Sequence, residues 1–385
     1  MSGGAAATGL LSPATGRVLT QDTPHSLTDG ETRWPLVDGI AFLRLGREAL
    51  AASAIERLDA GDREGALVVL LADQDDWWRG PTAEPEALRR LVREADTLTL
   101  RDAMALLSWG PVATYFAHRW SDPTFLAGLA LVRAHWAGPA TAFELACGIG
   151  HHLRALGEQG VRASGGDVVF AKLWVARQWV APEAELVCFD AGKPWPIAAG
   201  SIDLVCCHDA FYFLEPKREI LHRLRALRAP GGVLAVSHIH NRDWPNMSAG
   251  SAMQAGDVAA LFPQATVYDD AELTRALAEE RAPVGAPVAS LGGVEAFSLA
   301  EGPGVGPAQA VTGGIALPAG GAALRRNPLY GEDGTVRWPS ERYETEYGPR
   351  ATYPQHSDAP ERGVMDSATR TRALRREMLH LPDRW

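Results

Sequence analysis

The chain is poor in cysteine: four in 385 residues, Cys147, Cys188, Cys206 and Cys207, with none before position 147. No Cys-x-x-Cys pair occurs, so dithiol and zinc-ribbon spacings are absent, and buried free thiols in a reducing cytosol are the expected reading. Long apolar runs are missing too. No stretch approaches the ~20 apolar residues needed to cross a bilayer. The start, Met1-Ser-Gly-Gly-Ala, lacks a basic segment followed by an apolar centre, so it does not read as a secretory signal. Basic charge is in deficit: 37 Lys and Arg against 47 Asp and Glu leave a net charge of −10. That argues against a wide basic surface for nucleic-acid backbones and suits a soluble protein with a small-molecule partner. A cytoplasmic protein with neither a membrane nor a nucleic-acid partner is expected. No internal repeat is evident.

What is present centres on Thr141-Ala-Phe-Glu-Leu-Ala-Cys-Gly-Ile-Gly150. This reads as a buried strand with Glu144 near its end, then a glycine-rich turn into a helix. A phosphate loop would need Gly-Lys-Ser/Thr, and none follows. A dinucleotide fingerprint would need a third glycine where Leu153 stands. An S-adenosylmethionine (SAM) site is the third reading. Glu144 would hold the cofactor's ammonium directly or through water. Gly148 and Gly150 would let the backbone approach, and the helix start offers N–H groups to its carboxylate.

A second apolar stretch ends at Asp167, 21 residues beyond Ala146, the spacing at which an acid on the next strand reaches ribose hydroxyls. Leu186–Asp190 is a third strand ending in an acid. Ile202–Cys207 is a fourth, followed by His208 and Asp209. A helix with Pro216 in its first turn carries Ile220, Leu221, Leu224 and Leu227 on one face, and Pro230-Gly-Gly232 stops it. Val233–Ile239 is a fifth strand. Strands alternating with helices predict an α/β, Rossmann-like parallel sheet with ligands at the strands' carboxyl ends.

In these motifs and their order, residues about 139–240 resemble the class I SAM-dependent methyltransferases. The resemblance rests on Glu144–Gly150, Gly166-Asp167, Phe189-Asp190, Asp203–Asp209 and Arg228–Val233. It implies a transferase using SAM. Glu144, Ala146, Gly148 and Gly150 would meet the methionine part, with His208 near it. Asp167, with Val168 beside it, would bind the ribose, and Asp190 with Ala191 the adenine. Ala146 departs from the family, which has glycine there. The departure is read as tolerable crowding.

Four parts are expected. Residues 1–45 form a small β module, the first eight of them disordered. It resembles the zinc-ribbon-like activator of some tRNA and protein methyltransferases but lacks cysteines near Ser12, Thr15 and Gly30, so it should be metal-free and held by its strands and Trp34. Residues 46–138 form a helical cap. Asp122-Pro123 starts a helix with Phe125, Leu129, Val132 and Trp136 on one face. Trp109, Tyr115, Phe116 and Trp120 are candidates to line an acceptor pocket. Residues 139–300 form the SAM-binding domain. In it, segments 257–262 and 271–280 read as helices and Val294–Leu299 as a late strand. Residues 301–385 form a C-terminal extension. Its interleaved arginines and aromatics would close over the acceptor, make a homodimer contact, or pack as an arm on the surface.

Methyl transfer to oxygen, nitrogen or carbon usually needs a proton removed. His208, His238 and Tyr212 are the candidates for proton transfer and acceptor orientation, with His240 beside them. His238 and His240 should alternate across a strand, so that one faces the pocket. Three histidines, His208, His238 and His240, form a minor alternative as a metal site. His151 and His152 should cap or pack near the cofactor. The leading functional reading is methyl transfer to a small-molecule acceptor, with specialised metabolism as its setting. The competitors are a tRNA or protein methyltransferase and a non-methylating SAM-binding protein.

Overall fold

The computed structural model describes residues 7–245 and 250–385. The chain opens with β1 (Ala7–Leu11), β2 (Val18–Thr23), β3 (Ser26–Thr28), β4 (Arg33–Val37) and β5 (Ile40–Phe42), paired antiparallel in sequence order. Residues 7 and 8, expected to be disordered, begin β1; residues 1–6 lie outside the described residues. Thr15 Oγ1 donates to Asp29 Oδ2 at 2.8 Å and the Thr15 N–H meets Ser12 Oγ at 3.4 Å. The Thr15–Asp29 bond therefore joins the two loops in which the activator's cysteines would stand. Trp34 is fully buried beneath them.

Six helices follow: α1 (Glu48–Asp59), α2 (Arg63–Leu71), α3 (Pro85–Arg93), α4 (Leu100–Leu106), α5 (Pro111–His118) and α6 (Pro123–Ala134). Asp122 caps α6 by accepting from the Thr124 N–H at 2.8 Å. Every residue of α6 except Arg133 is buried. That suits a helix apolar on all sides, packed between the sheet and other elements.

The alternating region contains β6 (Thr141–Leu145), α7 (His151–Gly157), β7 (Arg162–Asp167), α8 (Phe170–Val175), β8 (Glu185–Cys188), β9 (Ile202–His208), α9 (Lys217–Leu227), β10 (Arg228–His240), α10 (Ala255–Leu261), β11 (Thr266–Asp269), α11 (Asp270–Ala278) and β12 (Ala296–Glu301). Among the described residues, twelve strands form one sheet in the order β1-β2-β3-β4-β5-β8-β7-β6-β9-β10-β12-β11. β5 through β10 in this order are parallel; β12 and β11 complete the far edge antiparallel. The chain moves from β6 outward through β7 and β8, then returns to β9 on the other side. The order reverses between β6 and β9, and that reversal opens the crevice where a doubly wound sheet takes its ligand. β11 was not expected from the sequence. The Pro-Gly-Gly segment lies within the start of β10, and α9 ends before it at Leu227.

The extension holds β13 (Ala323–Arg326), α12 (Glu341–Tyr347), β14 (Arg362–Val364), α13 (Arg370–Leu374) and β15 (Met378–Leu379), with a small sheet ordered β14-β13-β15. It packs back on the chain. Trp385 Nε1 donates to the Ala117 carbonyl at 2.8 Å, and the Tyr343 ring stands edge-on to His118. No helix among the described residues is long and apolar enough to cross a membrane.

Candidate cofactor and acceptor site

The turn after β6 is built from left-handed backbone. Ala146 has φ +56°, Gly148 +55° and Gly150 +83°. The departure from glycine at Ala146 is therefore conformational strain rather than crowding, and an L-residue with a Cβ pays about 1–2 kcal/mol for it. The Gly148 N–H donates to Asp167 Oδ2 at 3.0 Å, and the Val169 N–H to Asp167 Oδ1 at 2.9 Å. Lys172 Nζ lies 3.6 Å from the same carboxylate. The end of β7 is thus clamped to the turn. Phe116 covers the turn closely: a Cβ on Gly148 would stand 3.2 Å from its ring. Asp190, two residues past β8, caps the Gly192 N–H at 2.8 Å. Ala191 is buried, and its carbonyl accepts from Trp195 Nε1 and Arg223.

Glu144 is buried on β6 with Oε1 3.1 Å from His152 Nδ1. Burial pushes the Glu144 carboxyl up to about 7 and holds the His152 imidazole well below its ordinary value. Glu144 Oε2 has no hydrogen-bond partner. A buried acceptor without a donor is costly, and a cationic ammonium is the kind of group that would satisfy it. Together with the Cβ-free positions Gly148 and Gly150 in the turn, this fits the SAM methionine moiety that the resemblance implies. His208 belongs to the same cluster. Its ring lies 4.2 Å from that of His152, and Nδ1 meets Ser237 Oγ at 2.8 Å. Burial holds His208 down to about 3. α6 seals this cluster from above: a Cβ on Gly128 would come 2.6 Å from His152 Nε2. His151 packs as expected, among Phe116, Trp120 and Phe125, with Nε2 on the Phe116 carbonyl at 3.0 Å.

A second cluster stands at the ends of β9 and β10. Asp209 accepts from Tyr212 at 2.9 Å, from Tyr115 at 2.8 Å and from Arg119 at 3.0 Å. Burial works against its charge, but His238, Arg119 and His240 outweigh burial and hold Asp209 well below the usual carboxylate range. His238 Nδ1 meets Asp270 Oδ2 at 2.8 Å. Burial lowers the His238 imidazole; Asp270 and then Asp209 outweigh it and raise it above its ordinary value. His240 is held down to about 4, by burial first and by His238 next.

The expectation that only one of the two histidines faces the pocket does not hold, because residues two apart on a strand lie on the same face. The two ring centroids are 4.7 Å apart. β10 also carries a bulge: Val236 pairs with Leu299 and Ile239 with Phe297, so three steps on β10 face two on β12. His238 takes φ +54° there, and its N–H donates to Ser298 Oγ at 3.1 Å. The histidine trio is not assembled either, because His208 sits with His152 and Glu144. Asp209 joins His238 and His240 instead, with ligand atoms within 4.8 Å of one another. Asp209 already takes three hydroxyls, of Tyr115, Tyr212 and Thr124, and a guanidinium, and the cluster reads as a hydrogen-bonded network.

Of the aromatic candidates, Tyr115 and Phe116 meet the two clusters. Trp109 and Trp120 pack behind them, against Phe116 and His151. Tyr347 on α12 lies 6.5 Å from Tyr115, ring to ring. Arg119, Asp270 and Arg350 were not singled out in the sequence. Asp270 directly follows the helix-capping Asp269, which accepts from the Ala271 N–H. A second acid beside a completed cap was the available signal.

A family model described as a methyltransferase domain matches residues 143–236. Trans-aconitate 2-methyltransferase of Paracidovorax citrulli is 31% identical over 147 residues, 38% of this chain and 54% of the relative. The chain thus spans about half the length of that curated relative. Among solved structures, phosphoethanolamine N-methyltransferase 2 of Haemonchus contortus in complex with S-adenosyl-L-methionine is 17% identical, covering 45% of this chain and 46% of that one, with a TM-score of 0.36. An S-adenosylmethionine-dependent methyltransferase from Mesorhizobium loti is 16% identical, covering 46% of this chain and 96% of that one, with a TM-score of 0.34. With the motifs of β6 to β10 in order on a parallel sheet and the family match across them, the domain at the centre of this chain belongs to the class I SAM-dependent methyltransferases.

Proposed function

We propose that the whole protein transfers a methyl group from SAM to a small-molecule acceptor, in the cytoplasm, and that the acceptor lies against Asp209, Tyr212 and His238. The observation that carries this reading is the buried acid–histidine network at the ends of β9 and β10, roofed by Tyr115 of α5 and Tyr347 of α12. An enclosed polar site suits a small acceptor better than a nucleic acid or a protein chain. The four buried free thiols support a reducing compartment.

When bound, SAM supplies an electrophilic methyl group on a sulfonium. The residues of this chain do the rest. Glu144 offers Oε2 to the ammonium, and the turn at Gly148 and Gly150, with the start of α7, offers backbone N–H groups to the carboxylate. Asp167 and Val168 take the ribose, and Asp190 and Ala191 the adenine. On the acceptor side, Tyr212 orients the acceptor, and Asp209 fixes the Tyr212 hydroxyl. His238 takes the acceptor's proton, its ring aligned by Asp270. His208 is too weakly basic for that task and serves the cofactor side. Alignment and water exclusion supply much of the remaining acceleration.

The test is calorimetry with S-adenosylhomocysteine, followed by methyl transfer from labelled SAM into pools of small metabolites, tRNA and protein. Label in the small-molecule pool alone supports the reading. Label in tRNA or protein, or ligand binding without any methyl transfer, overturns it.

A further inference from the structure

The C-terminal extension reaches the acceptor side through one side chain. Arg350 ends the short turn Gly348–Arg350 after α12, with 12% of its side chain exposed. It donates to Asp270 Oδ2 at 3.1 Å and to Glu295 Oε1 at 2.9 Å. Asp270 Oδ2 is also the oxygen that meets His238 Nδ1 at 2.8 Å. An imidazole and a guanidinium therefore share one carboxylate oxygen. Ser298 closes the set, donating to Asp270 Oδ1 at 2.7 Å and accepting from the His238 N–H at 3.1 Å. Asp270 is 1% exposed and His238 2%, so solvent screens these interactions little.

We infer that Arg350 is a positioning residue: through Asp270 it fixes the His238 ring and draws off part of the carboxylate's charge, so that docking of the C-terminal extension sets how readily His238 takes a proton. This rests on the reading of His238 as the base of the proposed transfer. Asp270 comes from α11, Asp209 from the end of β9, His240 from β10, Glu295 from the approach to β12, and Arg350 from the extension. Tyr212 packs on His240 behind them at 4.5 Å. Of these, Asp270 and Asp209 favour the imidazolium, while burial and Arg350 oppose it. Removing Arg350 deletes one opposing influence and leaves Asp270 Oδ2 to His238 alone, with Ser298 still on Oδ1.

The experiment is an NMR titration of histidine rings in the full chain, with His238→Gln to assign the His238 signal. Arg350→Met should raise the His238 midpoint by roughly one unit, the size of effect a single adjacent charge exerts. Arg350→Lys should restore most of the wild-type value. Arg350→Gln, which keeps a donor and loses the charge, should also raise the midpoint, and it serves if the methionine variant does not fold. Asp270→Asn should lower it. A His238 midpoint that does not move in a folded Arg350→Met or Arg350→Gln protein, or that falls, overturns the inference. Undiminished methyl transfer by His238→Gln would remove the base reading while leaving the titration result intact.

Discussion

Arg119 and Asp209 are 90 residues apart in the chain and meet at 3.0 Å with side chains only 6% and 8% exposed. α5 and α6 bring the guanidinium down onto the carboxyl end of β9. Arg119 also donates to Tyr115 and Thr124, and Tyr115 donates to Asp209. The pair fastens the helical cap to the sheet. Breaking one partner of a buried pair strands the other charge, at about 3–5 kcal/mol. Arg119→Met should therefore lose about 3–5 kcal/mol of unfolding free energy in urea titration. A loss below about 1 kcal/mol would show that the network carries no such weight.

Glu144 couples ligand binding to protons. Its folded value, about 7, lies above the ordinary 4.5. The native state therefore holds this proton more tightly than the unfolded chain does. Its contribution to stability is complete below the ordinary value and fades as pH rises toward about 7. An ammonium at Oε2 would favour the charged form. Binding of S-adenosylhomocysteine near pH 6 should then release protons, seen as a dependence of calorimetric heat on buffer ionisation enthalpy. Glu144→Gln should abolish the release and weaken binding by roughly 10- to 100-fold, the worth of one charged hydrogen bond. Buffer-independent heats at pH 6 would rule this coupling out.

Ala146 occupies a conformation that glycine accepts freely. Ala146→Gly should relieve about 1–2 kcal/mol of backbone strain and give back about 0.4–1 kcal/mol through a freer unfolded chain. The net expectation is a gain of about 1 kcal/mol, read as a rise in melting temperature of the ligand-free protein. A fall would mean that the Ala146 methyl makes contacts worth more than the strain.

Two helical glycines should respond oppositely to alanine. At Gly157, at the end of α7, no atom lies within 4 Å of a new Cβ, so Gly157→Ala should stabilise by up to about 1 kcal/mol from helix propensity. At Gly128 the new methyl would meet His152 Nε2 at 2.6 Å. Overpacking costs about 1–3 kcal/mol and outweighs the same propensity gain. Melting curves of the two single variants decide the matter, and a stabilised Gly128→Ala protein would mean that α6 yields easily.

The extent to which the site was legible follows the range of its contacts. Glu144, Asp167 and Asp190 were readable because each sits at or just past the end of its own strand, where parallel pairing carries all three to one edge. The pairing of His238 with Asp270, and of Asp270 with Arg350, joins positions 32 and 80 residues apart. No local pattern announces such contacts. The bulge in β10 was hidden as well, because an extra residue in one strand is defined only against the partner strand.

The sequence by itself determined the alternation of strand and helix, the glycine-rich turn and the acids at the strand ends, because period, capping and turn chemistry are local properties of the backbone. Tertiary structure alone decided that β5 joins β8, that both late histidines face Asp209, and that Arg350 of the extension shares a carboxylate with His238. Those outcomes depend on which surfaces bury one another, and burial is what turns scattered acids, imidazoles and guanidiniums into one coupled network.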